Sequence, residues 1–297
     1  MPLGIGIGNA IQWIAGVAAN QSSTFTGLLD LYPNAAAAYS VRLLKSDYTG
    51  PLVRIRKDTA GQQEKDFYPD ENKELSLNSS DGVTTLGSWI GSNDGYVVTW
   101  HSQTGSNDAT QSSASAQPQI ISAGSLITEN SKAALQTTGI EHMEFGTFAS
   151  NGMALIAVGI NDGYGTILSG GDDVGNRFDF GPRVTNSYRY FVASGGSDDN
   201  LDSGTDTINT YTLFEAYKNS LNSGATYQNG SEITSGVMAF DLQAYTSNNI
   251  IFGRTFGGSV SDKISGKFQE IIIYPNDQTS NRTGIETNIN DFFNIYI

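Results

Sequence analysis

Apolar and polar residues along most of this chain alternate or gather in short runs. Leu52-Val-Arg-Ile-Arg-Lys57 sets apolar against basic positions in turn, the period of a half-buried strand. Tyr96–Trp100, Met153–Val158, Thr166–Leu168, Tyr188–Val192, Asn249–Phe252 and Phe268–Tyr274 are apolar or aromatic runs bounded by Gly, Asn or Asp. Turn signals separate them: Asn93-Asp-Gly95, Asn161-Asp-Gly163 and Asn229-Gly230. The last lies within Ala225–Ile233 and predicts a hairpin. Two segments follow a helical period instead. Ala35–Leu44 is rich in helix formers and would place Tyr39 and Leu43, with Leu44 beside them, on one face. Ile285, Ile289 and Phe293 stand at i, i+4 and i+8, which predicts a closing amphipathic helix. Many strands without long helices between them predict a sandwich, not a parallel α/β sheet.

Composition narrows the setting. Only 15% of the 297 residues are charged and 10% are aromatic, too few and too many respectively for a disordered chain. The formal net charge is −14, with 16 Lys and Arg in all, so phosphate backbones and anionic membrane surfaces are not expected partners. There is no cysteine, which removes disulfides, thiolate nucleophiles and Cys-ligated metals. Residues 1–34 differ in texture from 35–297. They are uncharged apart from Asp30, close at Tyr32-Pro33, and carry Ile5, Ile7, Ile11, Trp13 and Ile14. The first basic residue is Arg42, so a secretory leader is not expected, and Ile11–Ala19 is too short to cross a bilayer. The segment reads either as a first strand with a frayed end or as an arm that docks those residues in another protein.

A resemblance sharpens the reading. Ala35–Lys57, continuing through Gly95–Gly105, Asn107–Gln111 and Gln117–Ile120, resembles the catalytic domain of α-L-arabinofuranosidases of the B type. The same block is similar to one that recurs in bacteriophage tail and virion proteins. Ile264–Tyr274 with Asp277–Ile289 resembles the last strand and closing helix of laminin G-like modules. Together these matches bracket residues 35–297. They imply an all-β, concanavalin A-like jelly-roll sandwich with short peripheral helices and an N-terminal arm.

The resemblance also implies a chemistry that the residues only half support. A glycosidase sets two carboxylates about 5–9.5 Å apart. The family's nucleophile is a Glu in a Met-Glu segment. His142-Met143-Glu144-Phe145 has that motif but precedes the Met153–Val158 strand, while the family's position falls on Gly175–Gly181, which holds Asp179. Both read more simply as surface or turn carboxylates. Trp100-His101-Ser102-Gln103-Thr104-Gly105 replaces the family's Asp with Ser and its Tyr with His, and its cysteine pair is missing. The expectation is a fold kept and a chemistry lost.

Other chemistries fare worse. His101 and His142 are the only histidines and there is no Gly-x-Ser-x-Gly elbow, which argues against a Ser-His-Asp triad and a His-rich zinc site. Gly4–Gly8 lacks the context of a phosphate loop. No cofactor is expected. Calcium is open to Asp198, Asp199, Asp202 and Asp206 as oxygen donors of one loop, though a solvated acidic loop is the plainer reading. For sugar binding the candidates are Trp89, Trp100, His101, Asp108 and Tyr48, with Trp100 reading more naturally as core at the end of an apolar strand. The expected function is a non-enzymatic phage virion surface protein (head fibre, decoration or tail-tip module). It would sit outside the cell as a homo-oligomer, trimeric by analogy, and bind host-surface glycans or another virion protein. An arabinofuranosidase-like hydrolase and a free carbohydrate-binding module are the alternatives.

Overall fold

The computed structural model describes residues 25–297 apart from 151, 172–176, 185–186, 195–196, 204–207, 220–221, 240–248 and 257. Ile5, Ile7, Ile11, Trp13 and Ile14 therefore lie outside the described residues.

The apolar runs form strands, except that Thr166–Leu168 contributes only Leu168 to one, and the strands pair antiparallel into an all-β jelly-roll sandwich. One layer is built on Ser265–Tyr274. Met153–Asn161 pairs along one side of it, and Ala37–Ser40 and Leu135–Thr138 lie end to end along the other. Thr212–Lys218, Ser223–Gln228 and Ser231–Val237 continue this layer outward. The second layer runs from Glu64–Phe67 through Val53–Lys57, Gly95–Trp100, Ala109–Thr110, Met143–Phe145, Asn249–Ile251 and Leu168–Gly171. Arg177–Val184, Ser187–Ser194 and Ser197–Ser203 complete it. Gln119–Ser122 pairs with both layers and joins them into one curled sheet.

Between the layers runs a chain of aromatic rings. Tyr39 meets Trp100 at 5.7 Å, Trp100 meets Phe252 at 6.3 Å, and Phe252 meets Phe268 at 4.9 Å. Farther along, Tyr188 of the second layer meets Phe214 of the first at 5.6 Å. Each such ring removes on the order of 150–250 Å² from water, so these contacts dominate the core.

Two predicted elements took the expected form. At the Asn229-Gly230 turn both residues have positive φ, 51° and 74°, the pair that a two-residue type I′ hairpin demands. The closing helix spans Arg282–Phe293, buries Ile285, Ile289 and Phe293, and ends on Asn294 in the left-handed conformation.

Ala35–Leu44 did not. Ala37–Ser40 is a strand paired with Glu270–Ile273, and its Ala37, Ala38 and Tyr39 have no exposed surface. Alanine's helix preference is worth only tenths of a kcal/mol per residue. A four-residue ladder and a buried Tyr39 outweigh it. The half-buried pattern of Val53–Lys57 is also more enclosed than expected. Arg56 is buried, donating to Gln117 Oε1 at 2.7 Å and lying over the Tyr96 ring at 4.8 Å. Finally, the helix Leu28–Leu31 packs Leu28 and Leu29 into the common core, with Leu29 N–H donating to Leu44 O at 2.8 Å. The described part of segment 1–34 thus belongs with the sandwich.

Candidate functional site

At one edge of the second layer the Gly95–Trp100 strand ends, and residues 101–108 loop back to start Ala109–Thr110. Gln103 anchors the loop from inside, accepting from Leu44 N–H and donating to Arg42 O, both at 2.7 Å. Ser102 N–H donates to Asp108 Oδ1 at 2.8 Å.

Outside this anchor four charged side chains form a line. Arg54 and Asp66 oppose each other across two strands, and the guanidinium donates to both carboxylate oxygens at 3.0 and 2.6 Å. Asp66 Oδ1 also lies 3.1 Å from His101 Nε2, and His101 Nδ1 lies 2.9 Å from Asp108 Oδ2. Burial of the ring pulls the His101 pKa down, but the hydrogen bonds and charges of Asp108 and Asp66 outweigh it and leave it raised. Burial pushes Asp66 and Asp108 up, while their bonds from Arg54, His101 and Ser102 N–H leave both lowered. A carboxylate oxygen lies against each ring nitrogen of His101, so neither nitrogen is open to a substrate in this arrangement. The line works as a clasp on the loop.

Two tyrosines stand beside the clasp. Tyr48 folds over Gly50 and donates its hydroxyl to Pro51 O at 2.7 Å. Burial, then the charge of Asp108, pushes its hydroxyl pKa up. Tyr68, two residues past Asp66, is 39% exposed. It edges an open concavity of about 450 Å³, lined also by Pro69, Asp70, Asn78 and Ser80. Apolar and polar groups mixed around a shallow cavity are what a sugar ring needs.

The predicted sugar-binding residues divide. His101, Asp108 and Tyr48 come together here. Trp100 has no exposed surface and stacks in the core, and Trp89 is 9% exposed. Trp89 sits on the short helix Leu86–Ile90 and packs against Phe67 at 5.3 Å, because that helix turns Leu86, Trp89 and Ile90 inward together. Neither indole offers a face to solvent. Sequence reasoning missed Arg54, Asp66 and Tyr68. The alternating charges of Glu64-Lys-Asp-Phe-Tyr68 after Gly61 were the available signal for a hairpin partner to Val53–Lys57.

The two nucleophile candidates share a row but not a site. Glu144 pairs with Ile250, Ile250 with Ser169, and Ser169 with Asp179. Three strand spacings put their Cα atoms about 14 Å apart, so the motif and the family's position fall at different places on the sheet. Asp179 is buried against Arg254 Nη1 at 3.4 Å. Glu144 is exposed, between shallow hollows lined by Thr110 and Gln111 on one side and Asn249 and Thr255 on the other.

The predicted calcium loop is instead the strand Ser197–Ser203. Its alternation sends Asp198 and Asp202 to one face and Asp199 to the other. Arg189 holds Asp202 at 2.8 and 3.1 Å, and Asp199 accepts from Ala239 N–H. Asp206 lies outside the described residues, and among the described residues no three His, Asp or Glu converge on a metal position.

No family model and no curated protein matches the chain. Among solved structures, a GH54 α-L-arabinofuranosidase soaked with a cyclic sulfate inhibitor superposes with a TM-score of 0.64 at 16% identity, over 88% of this chain and 64% of that one. The mutant of such an enzyme soaked with 4-nitrophenyl α-L-arabinofuranoside gives 0.63 at 15% identity, over 88% and 64%. An arabinofuranosidase complexed with arabinofuranosyl-α-1,2-xylobiose gives 0.60 at 14%, over 86% and 62%. The chain thus spans less than two thirds of the length of these structures. At such identity the likeness establishes the β-sandwich fold.

Proposed function

We propose that this chain is a non-enzymatic glycan-binding module that seats a sugar against Tyr68 and the concavity beside it. The observation that carries this reading is the exposed Tyr68 at the rim of the hollow, two residues past Asp66 of the Arg54–Asp66–His101–Asp108 clasp. A rigid aromatic costs little conformational entropy on binding, and Asn78, Ser80 and Glu71 around it can take sugar hydroxyls. Arg254 against the buried Asp179, and the exposed position of Glu144 between shallow hollows, favour binding over hydrolysis.

The setting we propose is the surface of a bacteriophage particle, supported by the resemblance of Ala35–Ile120 to virion proteins. There a homo-oligomer would multiply weak sites into useful avidity. A glycan array with the purified chain, in calcium and without it, tests the reading. We expect neutral-glycan signals that Tyr68→Ala removes while the melting temperature stays put. An array without hits, or hits indifferent to Tyr68→Ala, would sink the site. Release of aryl from an aryl arabinofuranoside that Glu144→Gln abolishes would restore the hydrolase reading. Antibody labelling of particles tests the setting separately.

A further inference from the structure

The closing helix lies on the outer face of the first layer, and under it Glu215 points from the strand Thr212–Lys218. This carboxyl is fully buried, at 0% exposure, and an isolated buried charge is too costly to leave uncompensated. Its compensation is thin. Tyr217 donates its hydroxyl to Oε1 at 2.7 Å, while Oε2 meets no ordinary donor. What it does face, within hydrogen-bonding reach, is the carboxyl of Glu286 on the helix. Glu286 is 5% exposed and pairs with Arg282 one turn earlier, whose guanidinium lies over the Tyr227 ring at 4.1 Å.

Among the described residues, Arg282 is the cation whose charge acts on Glu215. Tyr188 from the opposite layer donates to the Glu215 backbone carbonyl at 3.3 Å. Tyr227 from the neighbouring strand bonds Glu232 at 3.3 Å, and Tyr296 approaches from the segment after the helix. Two carboxyls therefore face each other, and among the described residues Arg282, paired with Glu286, is the cation beside them.

We propose that Glu215 and Glu286 hold a single proton between them, and that this proton is the latch fixing the closing helix to the sheet. Glu215 donates its O–H to the Glu286 carboxylate, and Arg282 balances the one charge that remains. Loss of the proton would set two negative charges in contact beneath the helix. Burial first, then the charge of Glu286, raises the Glu215 pKa well above its ordinary value, against the weaker pull of Tyr217 and Arg282. The folded chain thus keeps a proton that the unfolded chain releases above that ordinary value. Stability falls as pH rises from there until Glu215 ionises in place. With no exposed surface, Glu215 cannot reach a substrate, so its role is one of holding.

The test compares the full chain with Glu215→Gln, whose amide can accept from Tyr217 and donate to Glu286 without any proton to lose. Amide hydrogen exchange of residues 282–293 and urea unfolding are followed from about pH 5.5 to 8.5. One proton sets the size of the effect: the wild-type unfolding constant rises by up to about tenfold per pH unit relative to the variant. Parallel pH profiles would overturn the latch. Should the variant not fold, the ¹³C carboxyl signal of wild-type Glu215 decides. A neutral-acid shift at pH 7 supports the shared proton, and a carboxylate shift refutes it.

Discussion

His101 takes charged partners on both ring nitrogens, and that gives the 101–108 loop a pH window. The raised imidazole stabilises the fold below the unfolded histidine value near 6.5, and this contribution is lost as pH climbs through the folded value. The lowered Asp66 and Asp108 stabilise above their unfolded value near 3.8, and theirs is lost as pH falls. The clasp is strongest between the two. His101→Ala is expected to lose about 1 kcal/mol near pH 5, a modest figure because Asp108 is 44% exposed and screened. The gap to wild type should shrink above neutrality, which melting curves across pH 4–9 would reveal, and a constant gap would contradict the clasp. The aromatic residues separate just as sharply by burial. Trp100→Ala empties a core position and should cost about 3–5 kcal/mol in urea denaturation, whereas Tyr68→Ala should leave the midpoint unmoved.

At the level of elements, turn and helix ends set which strands meet. Gly230 has φ near 74°, so Gly230→Val should weaken the hairpin by about 1 kcal/mol or more, read from equilibrium unfolding. Two strands of the first layer also meet so closely that a side chain would not fit. A Cβ on Gly159 would stand 2.5 Å from Lys267 O, and one on Gly266 2.2 Å from Ile160 O. These positions lie just past the bulge after Val158, where the ladder between Met153–Asn161 and Ser265–Tyr274 shifts register. Along the closing helix, Ile289→Ala should cost about 2–5 kcal/mol, because the side chain has no exposed surface and the sheet beneath cannot follow it inward.

Over the whole molecule, one buried cluster ties together parts far apart in the chain. Arg42 donates to both oxygens of Glu270 at 2.8 and 3.1 Å and to Asn288 Oδ1 at 3.0 Å, and Ser40 donates to Glu270 at 2.7 Å. The first strand, the central strand and the closing helix meet in it. Arg42→Met would leave Glu270 buried without its cation, at a cost of roughly 3–5 kcal/mol. Arg42→Met with Glu270→Gln should recover much of that loss, which a double-mutant cycle measures, and purely additive losses would deny the coupling.

Most of the long strand runs, the Asn229-Gly230 hairpin and the Ile285–Ile289–Phe293 helix were legible in the sequence, because each rests on a period or a turn within ten residues or so. The same is true of what net charge −14 and the lack of cysteine disfavour. The rest required partners that no local window contains. Ala37–Ser40 became a strand because Glu270–Ile273 lies beside it, more than two hundred residues on. Trp89 turned inward because Phe67 received it, and Arg54 met Asp66 because two strands registered there. Glu144 and Asp179, motif-like in the chain, were parted by two intervening strands. Periodicity is a property of neighbours in sequence, whereas burial, ion pairing and the spacing of carboxylates belong to neighbours in space.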